Sequence, residues 1–120
     1  MEMNEKIRIG IVGYGRLGRG VELALGQQPD MSLQAIYSRR APDSLTALSP
    51  ETPVRSVDAL DGGEAPVDVL ILCGGSRNDL PHQSPRYGRH YNIIDSYDNH
   101  AHIPEHFEAV DQAAREGGRF

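Results

Sequence analysis

One glycine-rich segment near the amino terminus has the composition of a phosphate-binding turn. It follows the apolar run 7–12 directly and consists of Gly13, Tyr14, Gly15, Arg16, Leu17 and Gly18. In this Gly-x-Gly-x-x-Gly pattern, Gly13 permits a tight turn, Gly15 lets a pyrophosphate approach the backbone, and Gly18 lets a helix pack closely on the strand. The helix beginning there presents free N–H groups and its positive dipole end to phosphates, and Arg16 adds a charged contact. The segment predicts a dinucleotide site, with an ordinary glycine-rich turn as the alternative.

Three polar residues, Ser38, Arg39 and Arg40, stand where a second strand is expected to end. NAD-dependent enzymes place an Asp or Glu at this point, where it accepts hydrogen bonds from the ribose hydroxyls. Here no carboxylate follows before Asp43. A carboxylate repels a 2′-phosphate, whereas Arg binds one and Ser donates to it. The segment therefore favours NADP over NAD, and a solvated basic loop is the alternative.

Polar or flexible residues also follow two later strand-like runs. The run 67–73 ends at Cys73 and continues into Gly74, Gly75 and Ser76. The run 91–95 continues into a polar cluster, Ser96, Tyr97, Asp98, Asn99 and His100. Ligands of open parallel sheets bind at the carboxyl ends of the strands. We therefore expect both segments at the nicotinamide side of the site, with a simple turn as the alternative for the first.

Apolar runs alternate with helical patterns along the chain. Five strands are predicted, at 7–12, 33–37, 54–57, 67–73 and 91–95. The first helix is expected to bury Leu17, Val21, Ala24 and Leu25, a second to begin at Asp79, and a third to run from Pro104 to Gly117 and bury Phe107, Val110 and Ala114. This alternation predicts an α/β fold, a doubly wound parallel sheet of the Rossmann type with about five strands. Such folds usually have a sixth strand, so we expect residues 1–120 to be one dinucleotide-binding domain of a longer protein.

The composition excludes several classes of protein. The net charge of −5 argues against nucleic-acid binding, and no apolar run is long enough to cross a membrane. Residues 1–40 carry six Lys/Arg against four Asp/Glu, a balance of +2, while residues 41–120 carry six against thirteen, a balance of −7. This distribution favours binding of an anionic ligand by the first third of the chain. The single Cys73 excludes an internal disulfide, and the first residues lack the pattern of a secretory signal. We therefore expect a cytoplasmic protein.

Four blocks resemble the amino-terminal part of the meso-diaminopimelate dehydrogenase family. They are 11–18, 28–31 with 36–41, 72–76, and 95–100 followed by Ile103 and Pro104. The Tyr97-Asp98-Asn99-His100 block is the most diagnostic, because generic dinucleotide-binding proteins do not share it. The resemblance implies NADP-dependent oxidative deamination of the D-centre of meso-2,6-diaminopimelate to L-2-amino-6-oxopimelate and ammonia, in diaminopimelate and lysine biosynthesis. It also implies a homodimer whose substrate and dimerisation domain is absent from this chain.

The resemblance assigns roles to residues at matching positions. Tyr14 to Leu17 would line the pyrophosphate, Ser38 to Arg40 the 2′-phosphate, and Cys73 to Ser76 with Ser96 to Asp98 the nicotinamide side. Asp98 would also contact the amino group at the D-centre of the substrate, with its role as a base left open. The chain departs from the family at Arg16 (often Asn), at Gly74 (often a larger apolar residue) and at His102, where family members can carry a second carboxylate.

Other functions remain as alternatives. His100, His102 and His106 with Asp98 would form a zinc site only if the loop and the helix start converged, and solvated histidines are the simpler interpretation. Cys73 as a nucleophile competes with a thiol at the edge of the core. At the level of function, the alternatives are a non-catalytic NADP-binding module and a reductase of the dihydrodipicolinate or homoserine type. The block at 97–100 argues against the two reductases.

Overall fold

The computed structural model describes residues 5–120 and contains five strands and three α-helices. The strands are β1 (Ile7–Val12), β2 (Met31–Ser38), β3 (Val54–Ser56), β4 (Val69–Leu72) and β5 (Asn92–Asp95). The helices are α1 (Arg16–Leu25), α2 (Leu80–Gly88) and α3 (Ile103–Gly117). Short 3-10 turns occur at Pro42–Ser44, Val57–Leu60 and His100–His102. Residues 1–4, which belong to the segment interpreted above as lacking a signal, lie outside the described residues.

The strands form one parallel sheet in the order β3-β2-β1-β4-β5. β1 is central and pairs with β2 on one side and β4 on the other, with Val12 opposite both Tyr37 and Leu72. The chain moves outward from β1 in one direction through β2 and β3, then in the other through β4 and β5. The strand order therefore reverses beside β1, which is where open α/β sheets form a ligand crevice. The predicted doubly wound fold with five strands is confirmed.

The core has two parts, one on each face of the sheet. One contains Val12, Tyr37 and Leu70, and the other contains Ile11 and Ile36. Neighbouring residues of β1 thus enter opposite parts, because successive side chains of a strand point to opposite faces. A strand buried on both faces needs an unbroken apolar run, which explains why β1 was clear in the sequence.

Two predicted helix faces are confirmed only in part: Leu25 of α1 and Ala114 of α3 are buried as expected, but other members of each face are exposed. In α1 the buried residues are Gly18, Glu22 and Leu25, while Leu17 is 48% exposed. The reason is Gly18, which rests against the backbone of the preceding turn and so places the contact face one residue later than the apolar pattern indicates. In α3, Ala113 and Ala114 are buried, whereas Phe107 is 69% exposed.

The third helix ends as predicted. Gly118 adopts a left-handed conformation with φ +68°, and its N–H donates to the carbonyl of Arg115. The chain then returns to the sheet, where the N–H of Ile93 donates to the carbonyl of Phe120 (2.9 Å). In the part of the chain that the structure describes, no helix is both long and apolar enough to span a membrane.

Candidate dinucleotide site

The glycines between β1 and α1 take up three different environments. Gly13 has φ +92°, a conformation that side chains rarely adopt, and it packs against the backbone of Cys73 and Gly74. A Cβ on Gly18 would overlap the carbonyl oxygen of Gly13. At Gly15, apart from its chain neighbours, no atom of residues 5–120 lies within 4 Å of the position that a Cβ would take. Two glycines therefore shape the turn, and the third leaves open space.

The open space lies at the start of α1. Gly15 is the residue before the helix, and the first turn of α1 contains no acidic residue. The N–H groups of a first helical turn have no intrahelical acceptor, and the helix dipole favours an anion beside them. The side chains of Arg16 and Leu17 are exposed. The turn can thus accept a phosphate group through its backbone.

Tyr14 contributes its backbone, not its side chain, to this turn. The side chain is 3% exposed and belongs to the core, where its hydroxyl donates to Glu22 Oε1 (2.5 Å). Burial, together with the bond to Glu22, raises the pKa of Tyr14 above its usual value. The carbonyl of Tyr14 accepts a hydrogen bond from Arg40 Nη2 (2.8 Å). Sequence reasoning placed the whole residue along a pyrophosphate, and the structure leaves only its main chain near that position.

The segment after β2 places a basic pair beside the turn. Ser38 is buried, and its Oγ accepts a hydrogen bond from the N–H of Arg40 (3.0 Å). The bond from Arg40 to Tyr14 joins this segment to the glycine turn. The side chain of Arg39 is 70% exposed and pairs with Asp79, the two nearest atoms being 3.1 Å apart. Two guanidinium groups therefore lie close to the glycine turn.

The turn after β4 forms the opposite side. Cys73 is half-buried, and burial raises the pKa of its thiol to about 11, so the thiol is protonated near neutral pH. This favours a thiol at the core edge over a nucleophile. A Cβ on Gly74 would stand 2.7 Å from the Cβ of Asp79, so the bare backbone here makes room for that residue.

One cleft of about 370 Å³ brings these three segments together. Its lining comprises Gly13, Tyr14, Gly15, Ser38, Arg39, Arg40, Val57, Cys73, Gly74, Gly75, Asp79 and Gln83. The cleft lies at the carboxyl ends of β2, β1 and β4, where the strand order reverses. A larger groove of about 710 Å³ lies beside the connection from α1 to β2 and contains none of the predicted site residues.

Arg16, Leu17 and Gly18 lie in the first turn of α1, beside the cleft lining, and the predicted residues after β4 and β5 lie at the next position along the same sheet edge. Ser76 Oγ accepts a hydrogen bond from the N–H of Asp98 (2.8 Å), and Ser96 Oγ donates to the carbonyl of Leu72 (3.2 Å). These bonds join the turns after β4 and β5. Asp98 itself is exposed. The structure thus brings Ser76, Ser96 and Asp98 to the edge where the nicotinamide side was expected, adjoining the cleft but not within it.

A half-buried hydrogen-bond network holds the segment after β5. Asp95 Oδ2 accepts a hydrogen bond from Ser84 Oγ (2.6 Å) and lies 2.7 Å from His106 Nε2, and Asp95 Oδ1 accepts from the N–H of Tyr97. The rings of Tyr97 and His106 stack with centroids 3.8 Å apart. Burial acts to raise the pKa of Asp95, but the bonds from His106, Ser84 and Tyr97 outweigh it and the pKa lies below its usual value.

The histidines do not converge on a common point. His106 faces Asp95, while His102 Nδ1 lies 3.5 Å from Glu105. Within residues 5–120, no group of three or more His, Cys, Asp or Glu side chains is arranged to hold a metal ion.

Sequence reasoning missed three polar residues around the site. Asp79 is the residue before α2, as predicted, but its side chain does not cap the helix: Oδ2 accepts from the N–H of Gly75 (3.0 Å) and Oδ1 faces Arg39. Gln83 follows one helical turn later, and its buried Oε1 has no hydrogen-bond partner among the described residues. Glu22 is 6% exposed inside α1. The i, i+4 spacing of Asp79 and Gln83 was a usable signal for a shared helix face. Glu22 gave none, because a lone carboxylate in a helix normally faces solvent.

The chain is similar to meso-diaminopimelate D-dehydrogenases, and the resemblance found in the sequence is confirmed. It is 51% identical over 113 residues to the enzyme of Lysinibacillus sphaericus and 46% identical over 112 residues to that of Corynebacterium glutamicum. These alignments cover 94% and 93% of this chain but 34% and 33% of the relatives, and they correspond to the amino-terminal part. The chain thus spans about a third of the length of these curated relatives. No protein-family model matches it.

Solved structures give the same result. An engineered D-amino acid dehydrogenase bound to NADP⁺ superposes with a TM-score of 0.83 at 45% identity, and the C. glutamicum diaminopimelate dehydrogenase in complex with diaminopimelate superposes with 0.82 at 45%. Each match covers 94% of this chain and 34% of the other. A 3-ketoreductase from Actinomadura kijaniata, at 22% identity and a TM-score of 0.77, shares the fold.

Proposed function

We infer that this chain, which matches the amino-terminal third of meso-diaminopimelate D-dehydrogenases, is the NADP-binding part of such an enzyme. The observation that carries the inference is the cleft at the carboxyl edge of the sheet, because it joins the glycine turn, the basic pair and the turn after β4. Residues 1–120 then constitute the dinucleotide-binding domain, and most substrate contacts and the dimer interface belong to the remaining two-thirds of the relatives' length.

The residues of the cleft fit a dinucleotide with two phosphate-binding regions. A Cβ at Gly15 would occupy the open space at the start of α1, so a glycine there keeps the backbone accessible to a pyrophosphate. Ser38, Arg39 and Arg40 supply hydroxyl and guanidinium donors on the adjoining wall, where a 2′-phosphate distinguishes NADP from NAD. The donors thus match the ligand in both charge and type.

The second proposed element is the substrate side. When bound, NADP⁺ supplies the acceptor for a hydride removed from the D-centre of meso-2,6-diaminopimelate. We assign Asp98 the contact with the substrate ammonium, supported by its exposed position and by the Ser76 bond that holds its backbone. Cys73 to Ser76 and Ser96 to Asp98 line the nicotinamide side in this proposal. The product imine is hydrolysed to L-2-amino-6-oxopimelate and ammonia.

The isolated chain is expected to bind cofactor without significant turnover. Hydride transfer requires the substrate to be held at near-attack distance, and small misplacements cost large factors in rate. The proposal also includes a homodimeric, cytoplasmic full-length enzyme that binds neither nucleic acid nor membranes, consistent with the net charge of −5.

Calorimetric titration of the chain with NADP⁺ and NAD⁺ tests the cofactor assignment. We expect NADP⁺ to bind at least about tenfold more tightly, the range of one or two charge-assisted hydrogen bonds. Arg39→Gln should reduce this preference, whereas Arg86→Gln, which removes an exposed guanidinium paired with Asp61 elsewhere, should preserve it. Equal affinity of the wild-type chain for the two cofactors would contradict the proposal. Diaminopimelate-dependent formation of NADPH by these 120 residues would contradict the assignment of substrate binding to the remaining part.

A further inference from the structure

We propose that Asp79 competes with the 2′-phosphate of the cofactor for Arg39 and so determines how strongly the phosphorylated cofactor is preferred. The inference rests on the proposed function and adds a residue to it. Asp79 lies outside the glycine turn and the segment after β2, which are the places where a dinucleotide site is usually read from sequence.

The ion pair spans the cleft. Arg39 follows β2 and Asp79 follows β4, and β1 lies between these two strands in the sheet. Both residues line the same cleft, and Arg39 Nη2 is 3.1 Å from Asp79 Oδ1. The pair therefore connects the two walls above the end of β1, beside the glycine turn.

Asp79 is the fixed partner, and Arg39 is the one free to move. Asp79 Oδ2 accepts the N–H of Gly75, the carbonyl of Gly75 accepts the N–H groups of Asp79 and Leu80, and the side chain is 17% exposed. Arg39 is 70% exposed. A ligand that recruits Arg39 must therefore draw it away from a carboxylate that stays in place.

Competition follows from the shape of the guanidinium group. Arginine grips a phosphate best through two parallel N–H bonds from one planar edge. In the structure Nη2 is engaged by Asp79, so one of the two edges through which Arg39 can hold a phosphate in a bidentate manner is occupied, and the guanidinium is oriented toward the carboxylate. The carboxylate also repels a phosphate dianion placed near it. Both effects oppose 2′-phosphate binding, and neither acts on a ligand without that phosphate.

The pair 2′,5′-ADP and 5′-AMP isolates this effect, because these ligands differ only in the 2′-phosphate. For Asp79→Asn we expect 2′,5′-ADP to bind about threefold to fivefold more tightly, the upper range for a partly exposed ion pair, with 5′-AMP unchanged. Asparagine keeps an oxygen for the N–H of Gly75, so circular dichroism should show an intact fold. Asp68→Asn, which removes the same charge at the amino edge of the sheet beside Arg8, should leave both affinities unchanged.

A double-mutant comparison tests whether Asp79 acts through Arg39. In an Arg39→Met background, Asp79→Asn should have a much smaller effect on 2′,5′-ADP, since there is no guanidinium left to compete for. If wild type prefers 2′,5′-ADP and Asp79→Asn leaves that preference unchanged or lowers it, Asp79 does not compete and this inference is wrong while the proposed function stands. If wild type binds both ligands equally, the proposed function itself fails.

Discussion

Two glycines of one motif have opposite relations to stability and binding. Gly18 contacts the carbonyl of Gly13, so the turn can form only because this residue has no side chain. Gly15 faces open space and has φ −100°, so the fold would tolerate a side chain at this position. A motif that reads as one unit in the sequence therefore contains one position required for packing and one available for ligand.

Alanine at each position separates these roles. Gly18→Ala should lower the free energy of unfolding by about 2 kcal/mol or more, because the Cβ meets backbone that cannot rotate away. Gly15→Ala should change stability by less than about 1 kcal/mol while weakening NADP⁺ binding. Urea unfolding and calorimetry of both variants check this. A Gly18→Ala chain with unchanged stability would show that Gly18 is not required for packing. A Gly15→Ala chain with unchanged NADP⁺ affinity would show that Gly15 does not border the ligand.

At the level of elements, a buried carboxylate joins α1 to the long connection between β2 and β3. Glu22 accepts hydrogen bonds from the N–H groups of Leu48 and Ser49 and from the hydroxyl of Tyr14. The carbonyl of Tyr14 in turn accepts a hydrogen bond from the guanidinium group of Arg40. Glu22 therefore fixes the connection and supports the wall of the cleft that carries the basic pair.

Removing this carboxylate should destabilise the chain strongly. Glu22→Leu removes the acceptor of the buried Tyr14 hydroxyl and of the part-buried N–H of Ser49, while the N–H of Leu48 keeps only the Tyr14 hydroxyl, and we expect a loss of about 3 kcal/mol in the free energy of unfolding. Glu51→Leu removes the same charge from an exposed position in the same connection and should change stability by about 0.5 kcal/mol or less. Chemical unfolding followed by circular dichroism measures both. Similar losses for the two variants would indicate a general charge effect and not the network.

The elements show what a sequence pattern can and cannot predict here. β1 and β4 were clear because strands buried on both faces need continuous apolar runs. The faces of α1 and α3 were predicted only in part: Leu25 and Ala114 are buried as expected, but the close contact at Gly18 and the small side chain of Ala113 leave no large apolar residue to indicate them. Hydrophobic periodicity reports burial only where large side chains carry it.

At the level of the whole molecule, the sheet assembles the site from distant segments. The glycine turn and the segment after β2 were predictable because each sits at a known distance from the first strand. For Asp79 and Gln83, the i, i+4 spacing indicates a shared helix face, but only the way α2 follows β4 shows that this face lines the cleft. The same ordering separates the cleft from the segment 96–98, which lies one strand further along the edge.

Amide chemical-shift mapping of the ¹⁵N-labelled chain tests whether this cleft binds NADP through the glycine turn and the basic pair. On addition of NADP⁺ we expect the largest shifts at residues 13–18, 38–40 and 73–75, with little change at Arg8 and Asp68 on the opposite edge. NAD⁺ should perturb the glycine turn far more weakly at the same concentration and leave 38–40 nearly unchanged. Shifts centred on the groove beside the α1–β2 connection, or identical shifts with both cofactors, would show that this cleft is not an NADP site.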